Sequence, residues 1–164
     1  MTLSLDLAKQ QCGVVNNDRD TLIYQYLKAA IGRVENYSGK VLAITQVEQP
    51  LTEFAPYIDL WYGPVRSITR IDYTDADLAP QTITDARHVG SRLFAPVAGW
   101  PTMGDRTGAT VFYEAGWPEA DVPAPLEHAV LVLVRDYFDS NGSMTGDAER
   151  AVKALCNPFR NIQV

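Results

Sequence analysis

Residues 122–142 read VPAPLEHAVLVLVRDYFDSNG, and whether this stretch is strand or helix decides the fold. Its four valines, taken one at a time, favour a strand. Its length and punctuation favour a helix. Pro123 and Pro125 suit the start and first turn, Glu127 stands where the helix dipole welcomes a carboxylate, and Gly142 follows the last apolar pair, Tyr137 and Phe138. On that helix Leu126, Ala129, Val130, Leu133, Val134 and Tyr137 form a core-facing stripe. Leu131, Val132 and Phe138 widen it beyond the needs of one face, and are predicted to meet the sheet described next or another copy of the chain.

Working outward from this segment, both ends of the chain read as helical. Ser4 can cap a short helix from Leu5 to about Cys12 that Gly13 ends, and Asp18 or Asp20 can cap a longer one. In the longer helix Leu22, Ile23, Tyr26, Leu27, Ala30, Ile31, Val34 and Tyr37 recur at helical spacing before Gly39, about five turns in all. A last helix is predicted from about Asp147 to Cys156, with Ala148, Ala151, Val152 and Leu155 on one face, followed by an extended tail over 158–164.

Between Val41 and Trp117 the pattern changes to short runs rich in Val, Ile, Tyr, Thr and Phe, broken by Gly and Pro. VLAITQVEQ, YIDLWY, VRSITRIDY, the weaker TITDARHV, SRLFAPV and ATVFYEAGW read as strands, with TDADLAP and GWPTMGDRTG as turns. The expected fold is therefore α+β. Helices from both ends of the chain (1–40 and 122–157) make a scaffold, and an antiparallel sheet or meander (41–117) is inserted in the middle of a single domain, 1–164.

Composition limits the functions available. The chain has 164 residues, 46% of them apolar and 21% charged, enough for a substantial core. A formal net charge of -6 and a pI of about 4.8 disfavour binding nucleic acid by charge alone. No basic segment followed by an apolar run opens the sequence, and no run reaches the roughly 18–20 apolar residues that span a bilayer, so a soluble chain without a cleaved leader is expected. Cys12 and Cys156 belong to no CxxC pair and are expected to be packed free thiols.

No constellation for catalysis emerges. His128 stands beside Glu127, but adjacent helical residues do not face each other, and one turn on lie Leu131 and Val132. His88 has no neighbouring Cys, second His or pair of Asp residues. Asp72, Asp75 and Asp77 lack the glycine and distal glutamate of a calcium loop and fit turn chemistry instead. Gly39-Lys40 follows a helix, whereas a phosphate loop must precede one. No enzyme, cofactor or metal is expected. Trp61, Trp100 and Trp117 leave one alternative, a β module that binds carbohydrate or peptide on aromatic faces.

Several strings, in their order, resemble the head-tail connector proteins of tailed bacteriophages, also called head-completion or adaptor proteins. They are LSLDLAKQQCGV (3–14), the Asp18 to Leu22 segment, VENYSGKVL (34–42), GPVRSITRIDYTD (63–75), YEAGWPEADVPAPLEHAVLVLVRDYF (113–138) and ALCNPFR (154–160). The specific part is their sequence: a strand ending in Gly and an aromatic residue, a proline-led apolar helix, and Leu155, Pro158, Phe159 and Arg160 at the end. Where relatives continue the proline-led helix into a Tyr-x-Asn-Arg ending, this chain has Tyr137, Phe138, Asp139, Ser140 and Asn141, so no contact of that arginine carries over.

The resemblance implies a structural virion protein at the neck, assembled in the bacterial host cytoplasm. It implies a self-associated ring, a dodecamer, attached under the portal protein. DNA passes through its lumen without specific binding, a downstream stopper or tail protein docks on it, and no membrane is involved. Leu155, Pro158, Phe159 and Arg160 are the implied portal contacts, and Leu131, Val132 and Phe138 the candidate subunit interface.

Overall fold

The chain runs α1 (Leu5–Cys12), α2 (Asp20–Ser38), β1 (Thr45–Leu51), β2 (Tyr57–Asp59), β3 (Val65–Thr74), β4 (Pro80–Ile83), β5 (Arg87–Val89), β6 (Arg92–Phe94), β7 (Ala109–Ala115), α3 (Ala124–Asp139) and α4 (Gly146–Cys156). This is a computed structural model, and it describes residues 3–105 and 107–160. Two units divide it: residues up to Leu42 with those from Pro118 onward form a helical unit, and Ala43–Trp117 form a β unit. The α+β class and the insertion of strands between helices are as expected.

In the helical unit the start of α1 is set by Ser4, whose hydroxyl accepts the Leu7 N–H at 3.2 Å. Gly13 ends it in the left-handed conformation at φ 69°. α2 differs from expectation at its start: neither Asp18 nor Asp20 caps it. Arg19 holds the cap position, and Asp20 is the first helical residue. The Asp20 carboxylate is drawn instead to the Lys9 ammonium at 2.7 Å, and Lys9 also donates to Asn17 Oδ1 at 2.6 Å. A lysine that is only 8% exposed requires such partners, so it fastens the α1–α2 turn.

Residues 122–142 are helical despite the valines. Pro123 precedes α3 and Pro125 sits in its first turn, where a missing N–H costs nothing. Leu126, Ala129, Val130, Leu133 and Val134 are fully buried, and full burial of a Leu or Val side chain is worth roughly 1.5–3 kcal/mol. α4 starts where Thr145 accepts from Ala148 N–H, and Asp136 of α3 holds Thr145 by accepting from its N–H at 2.9 Å and its hydroxyl at 2.7 Å. Cys12 and Cys156 are buried free thiols, as expected, and burial raises the pKa of both.

The tail does not begin extended. Asn157–Phe159 form a 3-10 turn, because Pro158 lies within its first residues, where proline's fixed φ suits a helical turn. Residues 161–164 of the expected tail lie outside the described residues. No described helix is long and apolar enough to cross a membrane.

The strands of the β unit are all antiparallel, but they do not form one sequential meander. One sheet has the order β1-β7-β3-β4 and the other β2-β6-β5. TITDARHV, read as one strand, is two, β4 and β5, belonging to different sheets. β7 lies at the centre of the larger sheet and alternates accordingly, with Ala109, Val111, Tyr113 and Ala115 buried. At its end Gly116 has φ 114°, and a Cβ there would lie 2.3 Å from the Ala43 carbonyl oxygen, so only glycine fits.

Candidate interaction surfaces

The polar residues that resembled sites have local structural partners. His128 is exposed on α3 while its neighbour Glu127 is buried, so the two do not face each other. His88 is half-buried on β5, with Nδ1 3.2 Å from the Gly90 carbonyl oxygen. Asp75 folds the β3–β4 turn by accepting from the Asp77 and Ala79 N–H groups at 3.0 and 2.9 Å and from the Gln81 amide at 2.9 Å. The Ala79 N–H is the largest of the influences that hold its carboxyl below the usual range. Asp72 is likewise held low, chiefly by Arg70. Among the described residues no group of three or more His, Cys, Asp or Glu is placed to hold a metal.

Gly39 ends α2 at φ 67°, which puts Lys40 at the C-terminal, negative end of that helix rather than at a phosphate-binding start. The aromatic alternative meets an obstacle in Trp100. Its ring stacks on Phe54 at 4.7 Å with an interplanar angle of 4°, and its N–H donates to the Ala55 carbonyl at 2.8 Å. One face and the polar handle of that indole are thereby used within the β unit, leaving Trp61, at 45%, the most exposed of the three tryptophans.

The candidate contact residues at the chain's end are brought together by α4 and the turn after it. Pro158 and Arg160 are exposed, Leu155 and Phe159 half-buried. Two residues that sequence reasoning did not assign hold this group in place. The Tyr37 hydroxyl at the end of α2 donates to Asn157 Oδ1 at 2.7 Å, and the Arg160 guanidinium stands 5.1 Å from the Tyr37 ring centre. The only signal in the sequence was a tyrosine in the last turn of α2, which helical spacing assigned to the apolar face.

Leu131, Val132 and Phe138 are all half-buried, and they do not make one patch. Leu131 and Phe138 lie two turns apart on one side of α3, and Val132 is turned about 100° from Leu131. Arg19 covers Phe138, its guanidinium 5.4 Å from the ring centre. Val132 lies in an open groove of about 370 Å³ between α1, α3 and α4, rimmed by Asp136, Asp139 and Asp147. Exposed apolar side chains stand elsewhere, Leu22 and Tyr24 on α2, Val89 at the end of β5, and Leu78 and Val97 in turns of the β unit.

With this geometry in place, comparison with known proteins is informative. The family model described as phage gp6-like head-tail connector protein matches residues 2–60, roughly a third of the chain. The fold is similar to a chain in the neck of an empty gene transfer agent (GTA) particle computed with C6 symmetry, at TM-score 0.82 and 21% identity, over 98% of this chain and 90% of that one. It is similar also to one in the neck of the native particle computed with C12 symmetry, at TM-score 0.81 and 22% identity, over 99% and 91%. A chain of the virion of the native particle gives TM-score 0.79 and 20% identity, over 98% and 90%. No curated protein matches. The resemblance to head-tail connector proteins thus holds by family model over residues 2–60, and nearly the whole chain shares its fold with chains of gene transfer agent particles.

Proposed function

We propose that this chain, similar to phage head-tail connector proteins, is a non-enzymatic structural subunit of a virion neck. In this reading copies associate into a ring, a dodecamer, under the portal protein. The ring extends the DNA channel and presents its far side to a downstream stopper or tail protein. The observation that carries the reading is the fold shared over 99% of the chain with a chain from a gene transfer agent neck computed with C12 symmetry, together with the connector family match at residues 2–60. Assembly would take place in the host cytoplasm, with no membrane involved.

The exposed end of the helical unit suits the portal contact: Pro158 and Arg160 are accessible, with Leu155 and Phe159 beside them, and Tyr37 contacts both Asn157 and Arg160 of their turn. Leu131, Val132 and Phe138 remain the candidate subunit interface. The net charge of -6 also suits a channel past which DNA must slide, because a basic lumen would retain phosphates. Negative-stain microscopy of the purified chain with and without its portal tests the proposal. Rings seated on the portal are expected; a persistent monomer that never binds portal overturns it.

A further inference from the structure

The ring reading requires two different faces of one chain to fit each other, because a ring closes by repeating a head-to-tail junction. The helical unit carries such a pair. The outward side of α2 exposes Thr21, Gln25, Lys28 and Ala29, flanked by Leu22 at 43% and Tyr24 at 49% exposure. Lys28 and Arg33 are the exposed charged side chains of this helix, and its carboxylates, Asp20 and Glu35, are both half-buried.

Gly32 lies on this side, one turn beyond Lys28. A Cβ built there meets nothing within 4 Å, and its φ is not in the left-handed range. Glycine inside a helix is less stable than alanine, so nothing in the subunit itself accounts for it. A second helix passing close to the backbone would account for it.

The groove between α1, α3 and α4 has the opposite character. Val132, Ala148 and Ala151 give it an apolar lining, and Asp136, Asp139 and Asp147 supply three carboxylates against the two guanidiniums that pair with them, Arg135 and Arg150. One side presents Lys28 beside a shallow, glycine-containing backbone, while Arg33 is turned toward Glu149 of α4; the other is concave and net negative. They share no residue.

We infer that the outward face of α2 in one copy docks into the α1–α3–α4 groove of the next, with Lys28 beside Asp139 and Gly32 allowing close approach. This rests on the ring reading and adds which surfaces make its junction. Charge on both sides favours the correct pairing and speeds encounter.

Ring formation on portal, titrated by light scattering and imaged, tests the inference. Gly32→Ala is expected to raise the melting temperature of the free subunit yet require at least tenfold more protein to form rings. Lys28→Glu and Asp139→Lys should each weaken assembly by a similar factor. The second removes the exposed Arg135–Asp139 pair, a small loss at the surface, and places a lysine at a helix C-terminus, which the dipole favours, so folding should persist. Combining Lys28→Glu with Asp139→Lys should restore rings, because every junction again joins opposite charges. Wild-type rings with Gly32→Ala and both single reversals assembling normally would overturn the inference alone, as would a double variant no better than the singles. Wild-type protein that makes no ring would overturn the ring reading and this inference together.

Discussion

The side-chain carbonyl of Gln49 accepts the backbone N–H of Trp61 at 2.9 Å, and the same side chain donates to the Asp59 carbonyl at 3.1 Å. Gln49 belongs to β1 in the larger sheet, while Asp59 ends β2 in the smaller one. A single amide thus performs across two sheets what paired strands do within one. It is 2% exposed, so water cannot replace it.

Gln49→Leu keeps the volume but removes the partner of an N–H and a carbonyl that are both partly buried, each worth up to about 1–3 kcal/mol when left unsatisfied. The expected loss is about 1–3 kcal/mol in urea unfolding followed by tryptophan fluorescence. A loss below about 1 kcal/mol would mean that these groups find other partners.

Lys9 fastens the turn between α1 and α2 through Asp20 and Asn17. Lys9→Met should destabilise by about 1–3 kcal/mol, less than for a fully buried pair because the Asp20 side chain is 32% exposed. Asp20→Asn keeps a neutral acceptor and should cost less. Thermal unfolding of the two variants side by side checks the order.

Glu35 gives a pH dependence of known sign. Burial raises its pKa, and the Leu42 N–H that it accepts at 2.8 Å opposes the rise without cancelling it. A carboxyl raised in the folded state favours folding below its unfolded pKa, and that contribution is lost as pH rises through the folded one. Glu35→Gln keeps the acceptor and removes the charge. It should be more stable than wild type at pH 7, with the gap closing below the ordinary carboxylate range. Urea midpoints at pH 7 and at acid pH measure this; a gap independent of pH would contradict it.

Under the proposed portal contact, Arg160→Ala should weaken portal binding by about 5–30-fold, as expected for an exposed arginine anchor. Tyr37→Phe retains the ring beneath Arg160 and loses the bond to Asn157. Its effect on portal binding should be smaller, and its cost to stability about 1 kcal/mol. Surface plasmon resonance on immobilised portal, beside unfolding midpoints, separates the two effects.

The helices were legible because their signals are local. Ser4 and Gly13 bracket α1, Gly39 ends α2, and the prolines before α3 outweigh its valines within a few residues of chain. Asp20 misled as a cap because its partner, Lys9, lies on the previous helix. Strand positions were also largely legible, but their order was not. Thr45 pairs with Ala115 and Ile71 with both Ile83 and Val111, choices made by long-range burial that no local pattern encodes. The arrangement around the chain's end was hidden for the same reason, since Tyr37 and Asn157 meet only after folding.

The central place of β7 has a consequence for synthesis. Until Ala115 has left the ribosome, β1 has no partner and β3 has only the short β4, and α3, the most buried helix, is still to come. A chain interrupted before β7 therefore lacks both the larger sheet and the α1–α3–α4 groove. Because the molecule is threaded through its own middle in this way, completeness of translation is a condition of competence: a prematurely terminated copy lacks the groove that would receive the next subunit.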